Sequence, residues 1–291
     1  YISGSGDYEL LPFRFENLSD KEVVLTNAVG EFTHISKETL YALVNHFLEP
    51  TDPQYQHLRA KHFLREVGDI ATLDLLALKS RTKLRSLSNF TNLHMFVVSL
   101  RCDHSCQYCQ VSRQSEDKAA FDMTEDTANK ALDLVFSSPN PSIKIEFQGG
   151  EPLLNFGLIK HIVQEAEERN KIENKNLQFV IATTLSLATT EILEYCRDHK
   201  VYLSSSLDGP EALHNINRPR PDHDSYEKFV EGLKKARDIV GYDSVSALMT
   251  TSPSSLDHVK EIIDVYIKLG FDSIFLRHLS PYGFAIKTKS Y

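Results

Sequence analysis

From about residue 91 onward, short β-type runs alternate with amphipathic helical stretches, and this alternation constrains the fold more than any other feature. His94–Leu100 and Ser142–Phe147 are runs of strand length, followed by Gln178–Thr183, Val201–Ser206, Val245–Thr250 and Ser273–Arg277. Each interval leaves room for a helix, and the intervening segments carry apolar residues at the helical period. Leu158, Ile159, Ile162, Val163 and Ala166 share one face; so do Tyr226, Phe229, Val230, Leu233 and Ala236, and later Leu256, Val259, Ile263 and Tyr266. Thr124 and Ser255 are placed as helix N-caps, and Gly241 and Gly270 as the glycines that follow helix C-termini. Parallel strands cannot be joined by a hairpin, so this alternation builds a parallel sheet with right-handed crossovers. A complete eight-stranded barrel typically needs ~250 residues, and only six strands are countable here. The expected fold is therefore α/β, a partial six-stranded parallel (β/α)6 barrel over residues 91–291 whose last helix is absent.

Residues 1–90 differ in kind and read as a small N-terminal α+β module. Glu9–Glu16, Val23–Thr26 and Glu31–Thr33 are expected strands, and Lys37–Leu48, Pro53–Val67 and Ile70–Leu84 expected helices, with Ser86–Thr91 as the boundary. A short strand at Val23–Thr26 offers unpaired backbone groups to an incoming peptide. The module is thus a candidate for peptide recognition, the alternative being a packing element. Apolar residues at 41% and charged residues at 25% allow a sizeable buried core and exclude disorder. The net charge, 32 − 40 = −8, argues against a nucleic-acid binder held by general electrostatics. No stretch approaches the ~20 apolar residues of a membrane helix, and no leader is visible, so a cytoplasmic protein with no membrane partner is expected. The start at Tyr1, followed by Ile2-Ser3-Gly4-Ser5-Gly6, reads as a piece of a longer chain or a trimmed one.

Three of the four cysteines, Cys102, Cys106 and Cys109, fall within eight positions, directly after the first barrel strand. A disulfide scaffold spreads its cysteines; a tight cluster in a chain without a leader reads as metal ligation in a reducing compartment. Three thiolates in one loop can hold three irons of a cubane cluster and leave the fourth iron open to an amino and carboxylate chelate. The alternative is a zinc knuckle completed by His104. Against it, one residue separates Cys102 from His104, where zinc pairs usually have about two to four between them. Cys196, in phase with Ile192 and Leu193, reads as a buried core thiol.

This C-x3-C-x2-C loop, with Tyr108 just before its last cysteine, resembles the radical S-adenosylmethionine (SAM) superfamily. Gln148-Gly149-Gly150-Glu151-Pro152 is similar to the family's GGEP segment; glycines there would let backbone approach a ligand closely, and Glu151 would receive the methionyl ammonium. Thr183-Thr184 stands where relatives often have Thr-Asn in contact with ribose. Ser206-Leu207-Asp208-Gly209-Pro210, with His214 and Arg218, resembles the signature of peptide-modifying members that carry a C-terminal auxiliary-cluster (SPASM-type) domain, a domain absent from residues 91–291. By that resemblance Ser206 and Arg218 bind the SAM carboxylate, for which Arg supplies a planar fork, while Asp208-Gly209-Pro210 is read as a turn. Leu276–Gly283 is similar to the segment where relatives' backbone meets the adenine.

A narrower resemblance, to the radical SAM maturases of the His-Xaa-Ser peptide system, rests on Arg101–Asp122, Leu11–Phe15 and Thr26–Phe32. The resemblance implies a [4Fe–4S] cluster on Cys102, Cys106 and Cys109, and SAM held by Tyr108, Gly149, Gly150, Glu151, Ser206 and Arg218. It implies an oxidoreductase-type enzyme that reductively cleaves SAM to a 5′-deoxyadenosyl radical and modifies a ribosomally made precursor peptide. Its partners would be that peptide and an electron donor such as flavodoxin or ferredoxin. No general base stands out. A radical SAM enzyme acting on a small molecule or protein side chain, and a peptide-binding scaffold with a structural metal, remain as alternatives.

Overall fold

The computed structural model describes residues 7–288; residues 1–6, with the Tyr1 start, and residues 289–291 lie outside the described residues. Internal contacts divide the chain into two units, Tyr1–Ser88 and Asn89–Tyr291.

The first unit contains β1 (Tyr8–Leu10), β2 (Phe13–Asn17), β3 (Glu22–Asn27), β4 (Phe32–Ser36), α1 (Lys37–Val44), α2 (Pro53–Ala60), β5 (Leu64–Glu66) and α3 (Ile70–Leu84). Val23, Leu25, Ile35, Leu43, Tyr55, Leu58 and Phe63 form its core. The run expected as one strand over Glu9–Glu16 is two, because Pro12 has no N–H to give a ladder. The helix from Pro53 stops at Ala60, His62 turns the chain at φ 56°, and the remainder becomes β5, antiparallel to β1. The helix from Lys37 stops at Val44, capped by Asn45. The reading of Val23–Thr26 as an open strand is overturned. β3 is the middle of an antiparallel meander, with Val23 opposite both Asn17 and Ile35, so its backbone groups are already paired on both sides.

The second unit runs β6 (Leu93–Ser99), α4 (Lys118–Phe121), α5 (Glu125–Phe136), β7 (Ser142–Gly149), α6 (Phe156–Glu173), β8 (Asn176–Thr183) and α7 (Thr190–Asp198). It continues with β9 (Val201–Ser206), α8 (Glu211–Asn217), α9 (Ser225–Val240), β10 (Val245–Thr251), α10 (Val259–Lys268), β11 (Phe275–His278) and α11 (Phe284–Thr288). The six strands pair in sequence order, every pair parallel, and the sheet curls into a half-barrel as expected. Side chains alternate across it. Ile143, Ile145 and Phe147 of β7, Phe179 and Ile181 of β8, and Val201 and Leu203 of β9 are buried in one core with Leu132, Ile159, Ile162, Leu193 and Phe229 of the helices. The opposite face carries half-buried polar residues, among them Glu146, Gln148, Ser204 and Ser206. A parallel sheet covered on both faces reads apolar throughout; β7 and β9 are apolar on one face and polar on the concave one, while Met95 and Val97 of β6 and Val180 and Ala182 of β8 keep part of the concave face apolar. Cys196 is fully buried in the convex core.

Three details of this unit depart from expectation. Ser255 is not a helix N-cap. Ser252 caps a 3₁₀ turn at Pro253–His258, and Ser255 completes a reciprocal capping box inside it. That turn shifts the phase of α10, which buries Ile262 and Tyr266 while Leu256, Val259 and Ile263 stay exposed. A short helix, α11, does follow the sixth strand, and the Phe284 N–H donates to the Cys109 carbonyl at 2.9 Å. Gly283 makes that approach possible: its φ is +59°, and a Cβ would sit 2.6 Å from the same carbonyl oxygen. No helix among the described residues is long and apolar enough to cross a membrane.

Phe147, packed between Phe96 and Phe179, tests the core. Phe147→Ala is expected to cost about 3–5 kcal/mol in urea unfolding of the barrel unit. Leu134→Ala, at a side chain 73% exposed, is expected to stay within about 0.5 kcal/mol of wild type.

Candidate active site

The C-terminal ends of the barrel strands open into one cavity, and every residue expected to hold the cluster or SAM lines it. Cys102, Cys106, Tyr108 and Cys109 come from the loop after β6, Gly149, Gly150 and Glu151 from the end of β7, and Ser206 and Arg218 from β9 and the turn after α8. Arg277 also lines the cavity, its guanidinium 2.7 Å from the Gln110 side-chain oxygen, whereas His278 is exposed. Glu146 and Gln148 line it too; their only signal in the sequence is the polar phase of the alternation along β7.

The cysteine loop is anchored from behind. Arg101 is buried and forms a bidentate pair with Asp122, with both N···O distances 2.8 Å, and donates to the Leu154 carbonyl at 2.8 Å. The Gly150 N–H donates to the Ser99 carbonyl and the Glu151 N–H to the Arg101 carbonyl, both at 2.8 Å. The two glycines are needed for this contact. A Cβ on Gly149 would lie 2.3 Å from the Ser99 oxygen, and one on Gly150 2.2 Å from the Arg101 oxygen and 2.9 Å from Cys102 Cβ. The sequence suggested close approach to a ligand; what fills that space is the chain's own loop.

Glu151 is fully buried at the cavity wall. Its Oε1 accepts from Thr183 Oγ1 at 2.7 Å and from the Leu153 N–H at 3.2 Å; its Oε2 accepts from the Thr184 N–H and Oγ1, both at 2.9 Å. Burial raises its pKa and these hydrogen bonds oppose the rise; burial prevails. The Thr183-Thr184 pair therefore serves the carboxylate, a role its position in the sequence did not signal.

Asp208 is more than a turn residue. It is fully buried and accepts from Arg218 Nη2 at 3.0 Å, from the Thr250 N–H at 3.2 Å and from the Tyr108 hydroxyl. The Arg218 guanidinium also stands 5.5 Å from the Tyr108 ring centroid. Burial would raise the Asp208 pKa, but the Arg218 charge and these donors outweigh it and hold the carboxyl below its usual range. Arg218 Nε is buried with no hydrogen-bond partner among the described residues. A buried donor left unpaired beside a cavity is suited to an anionic ligand.

The zinc alternative needs a free nitrogen on His104. Cys102, Asp103 and His104 bring one ligand atom each within 4.8 Å of one another. Both imidazole nitrogens are already engaged, however: Nδ1 with Asp103 Oδ1 at 2.8 Å and Nε2 with Ser225 Oγ at 2.9 Å. No disulfide joins the four cysteines. Burial pushes Cys106 up to about 12 and raises Cys102 as well, so thiolates here require a cation beside them.

The sequence matches the Radical SAM superfamily over residues 96–266, a span that holds all these residues except Arg277 and His278. The chain belongs to that superfamily. It is 30% identical over 185 residues to the uncharacterized protein MJ0907 of Methanocaldococcus jannaschii, covering 63% of this chain and 61% of the relative. It is 24% identical to the radical SAM cyclopropyl synthase TigE of Paramaledivibacter caminithermalis over 80% of this chain and 50% of the relative. The structure described as native anSMEcpe with bound AdoMet superposes with a TM-score of 0.57 at 19% identity, over 65% of this chain and 51% of that one. The chain thus spans about half to three fifths of the length of these relatives.

The buried pair makes a sharp stability test. Asp208→Asn leaves the Arg218 charge without its counter-ion and is expected to cost about 3–5 kcal/mol in denaturant unfolding. Because the folded-state pKa of Asp208 is depressed, its contribution is present above the ordinary value of 3.8 and is lost as pH falls through the folded value. The Asn variant should lack that part of the acid dependence.

Proposed function

We propose that Cys102, Cys106 and Cys109 hold a [4Fe–4S] cluster in this cavity, with SAM beside it. We further propose that the protein is a maturase of the His-Xaa-Ser type, acting on a ribosomally made precursor peptide. The observation that carries the reading is convergence: three thiols from one loop, the unpaired donor of Arg218 and the carboxylate of Glu151 line one cavity at the strand ends. The donor set fits the group, since three soft sulfurs suit iron and leave one corner of a cubane open. When bound, the reduced cluster and SAM supply a 5′-deoxyadenosyl radical able to abstract hydrogen.

The chain's residues have separate tasks around that chemistry. Arg218, steadied by Asp208 and by the Tyr108 ring, offers its free donor to the SAM carboxylate, and the Ser206 hydroxyl assists. Glu151, fixed by Thr183 and Thr184, lends acceptor character to the wall that would face the ammonium group. Gly149 and Gly150 keep the β7 end against the cysteine loop, so that these two groups and the thiols share one space. The polar concave face at Glu146, Gln148 and Ser204 provides hydrogen-bonding wall for a peptide segment and limits free water. An electron donor such as flavodoxin or ferredoxin would reduce the cluster. A peptide substrate is supported by the Ser206–Arg218 signature. It is also supported by similarity to TigE and to a cysteine-type anaerobic sulfatase-maturating enzyme of Clostridium perfringens, 22% identical over 65% of this chain and 54% of the relative.

Anaerobic reconstitution followed by assay for 5′-deoxyadenosine, with and without a short peptide encoded beside the gene, tests the reading. The wild type should bind iron, form 5′-deoxyadenosine and convert the peptide. Alanine at Cys102, Cys106 or Cys109 should abolish cluster absorbance and SAM cleavage, whereas Cys196→Ala should keep both. Cleavage retained in Cys106→Ala would refute the ligand assignment, and SAM cleavage without peptide conversion would refute the substrate class. Arg218→Ala is expected to keep its cluster and to weaken SAM binding by about 1.5–3 kcal/mol, the size of a charge-assisted hydrogen bond.

A further inference from the structure

One hydroxyl joins two buried imidazoles, His104 and His214. Ser225 Oγ lies 2.9 Å from His104 Nε2 and 3.1 Å from His214 Nε2, and all three residues are buried. The path is anchored at its His214 end. The Asp208 N–H points to His214 Nδ1 at 3.3 Å, so that nitrogen accepts. Burial pushes the His214 pKa down to about 3, so the ring is neutral and its proton sits on Nε2, which donates to Ser225. The Ser225 hydroxyl thus stands between the two rings, hydrogen-bonded to both. The other His104 ring nitrogen, Nδ1, lies 2.8 Å from Asp103 Oδ1. The other Asp103 oxygen accepts from Ser186 Oγ at 2.7 Å and faces Arg220 Nε at 3.6 Å. The result is one unbroken chain of hydrogen bonds from the Asp208 backbone to Asp103.

The chain ends beside the first cysteine. With its ring held at both nitrogens, His104 directs its own backbone N–H onto Cys102 Sγ at 3.4 Å. A hydrogen bond to a cluster sulfur stabilises the reduced form and raises the reduction potential. We propose that Ser225 is a positioning residue: by fixing His104 it holds the His104 amide on Cys102 Sγ and so sets the potential of the cluster. This rests on ligation of the cluster by Cys102. The same chain begins at the Asp208 backbone, whose side chain holds Arg218.

The test is a potentiometric titration, followed by electron paramagnetic resonance, of the reconstituted full chain as wild type, Ser225→Ala and Ser225→Thr. The Ala variant should show a more negative midpoint than wild type, and Thr, which restores the hydroxyl, should return it. Electron–nuclear double resonance of the reduced wild-type cluster should show an exchangeable, strongly coupled proton that Ser225→Ala weakens. Absence of that proton in the wild type overturns the proposal without any variant, as does an unchanged midpoint in Ser225→Ala. A wild-type chain that forms no cluster overturns the ligation reading itself and this inference with it, which separates the two failures.

Discussion

The close backbone contact between the end of β6 and the end of β7 is the constraint on which the rest of the site depends. Gly149 and Gly150 permit it by having no Cβ, and the Ser99 and Arg101 carbonyls complete it by accepting the Gly150 and Glu151 amides. Once those two strand ends are locked, Cys102 and Glu151 are brought to one wall. The loop has little freedom behind the cysteines, because Arg101 is held by Asp122 and the Leu154 carbonyl. A side chain at either glycine would disturb thiols and carboxylate together.

Burial of charge around the cavity is balanced locally rather than avoided. Asp208 and Arg218 are both buried, and each would be costly without the other. Glu151 has no cationic partner within salt-bridge distance among the described residues and is instead held by two threonines and two backbone amides. These two solutions have different consequences. The ion pair fixes a guanidinium whose Nε is left without a partner among the described residues, while the hydrogen-bonded carboxylate is a fixed acceptor with a raised proton affinity. An amino acid group with one cationic and one anionic end matches such a pair of walls.

The half-barrel explains why polar residues can occupy alternate positions of a parallel strand. A complete barrel of this size fills its interior with apolar layers, whereas an open sheet leaves its concave face to solvent or ligand. In β7 the sequence Ile-Lys-Ile-Glu-Phe-Gln places Ile143, Ile145 and Phe147 under the helices and Lys144, Glu146 and Gln148 on the open side. The same alternation gives Ser204 and Ser206 in β9 their place on the cavity wall.

The strand–helix alternation, the parallel order, the cysteine spacing and the glycine pair are all legible in the sequence. Each is local, governed by side-chain period or by spacing within one loop. The edge state of β3 was not legible, because whether a strand is flanked on both sides depends on what two other segments do. The phase of α10 was hidden for a related reason: a 3₁₀ turn capped by Ser252 rotates the faces of the helix that follows. Asp208 looked like a turn residue, and Ser225 carried no signal at all. Their partners lie far along the chain: Tyr108 is 100 residues from Asp208, and His104 is 121 residues from Ser225. Sequence determined which residue types were available and on which elements. Only the tertiary structure decided which of them meet, because hydrogen-bond pairing over such separations is set by the curl of the sheet rather than by any local pattern.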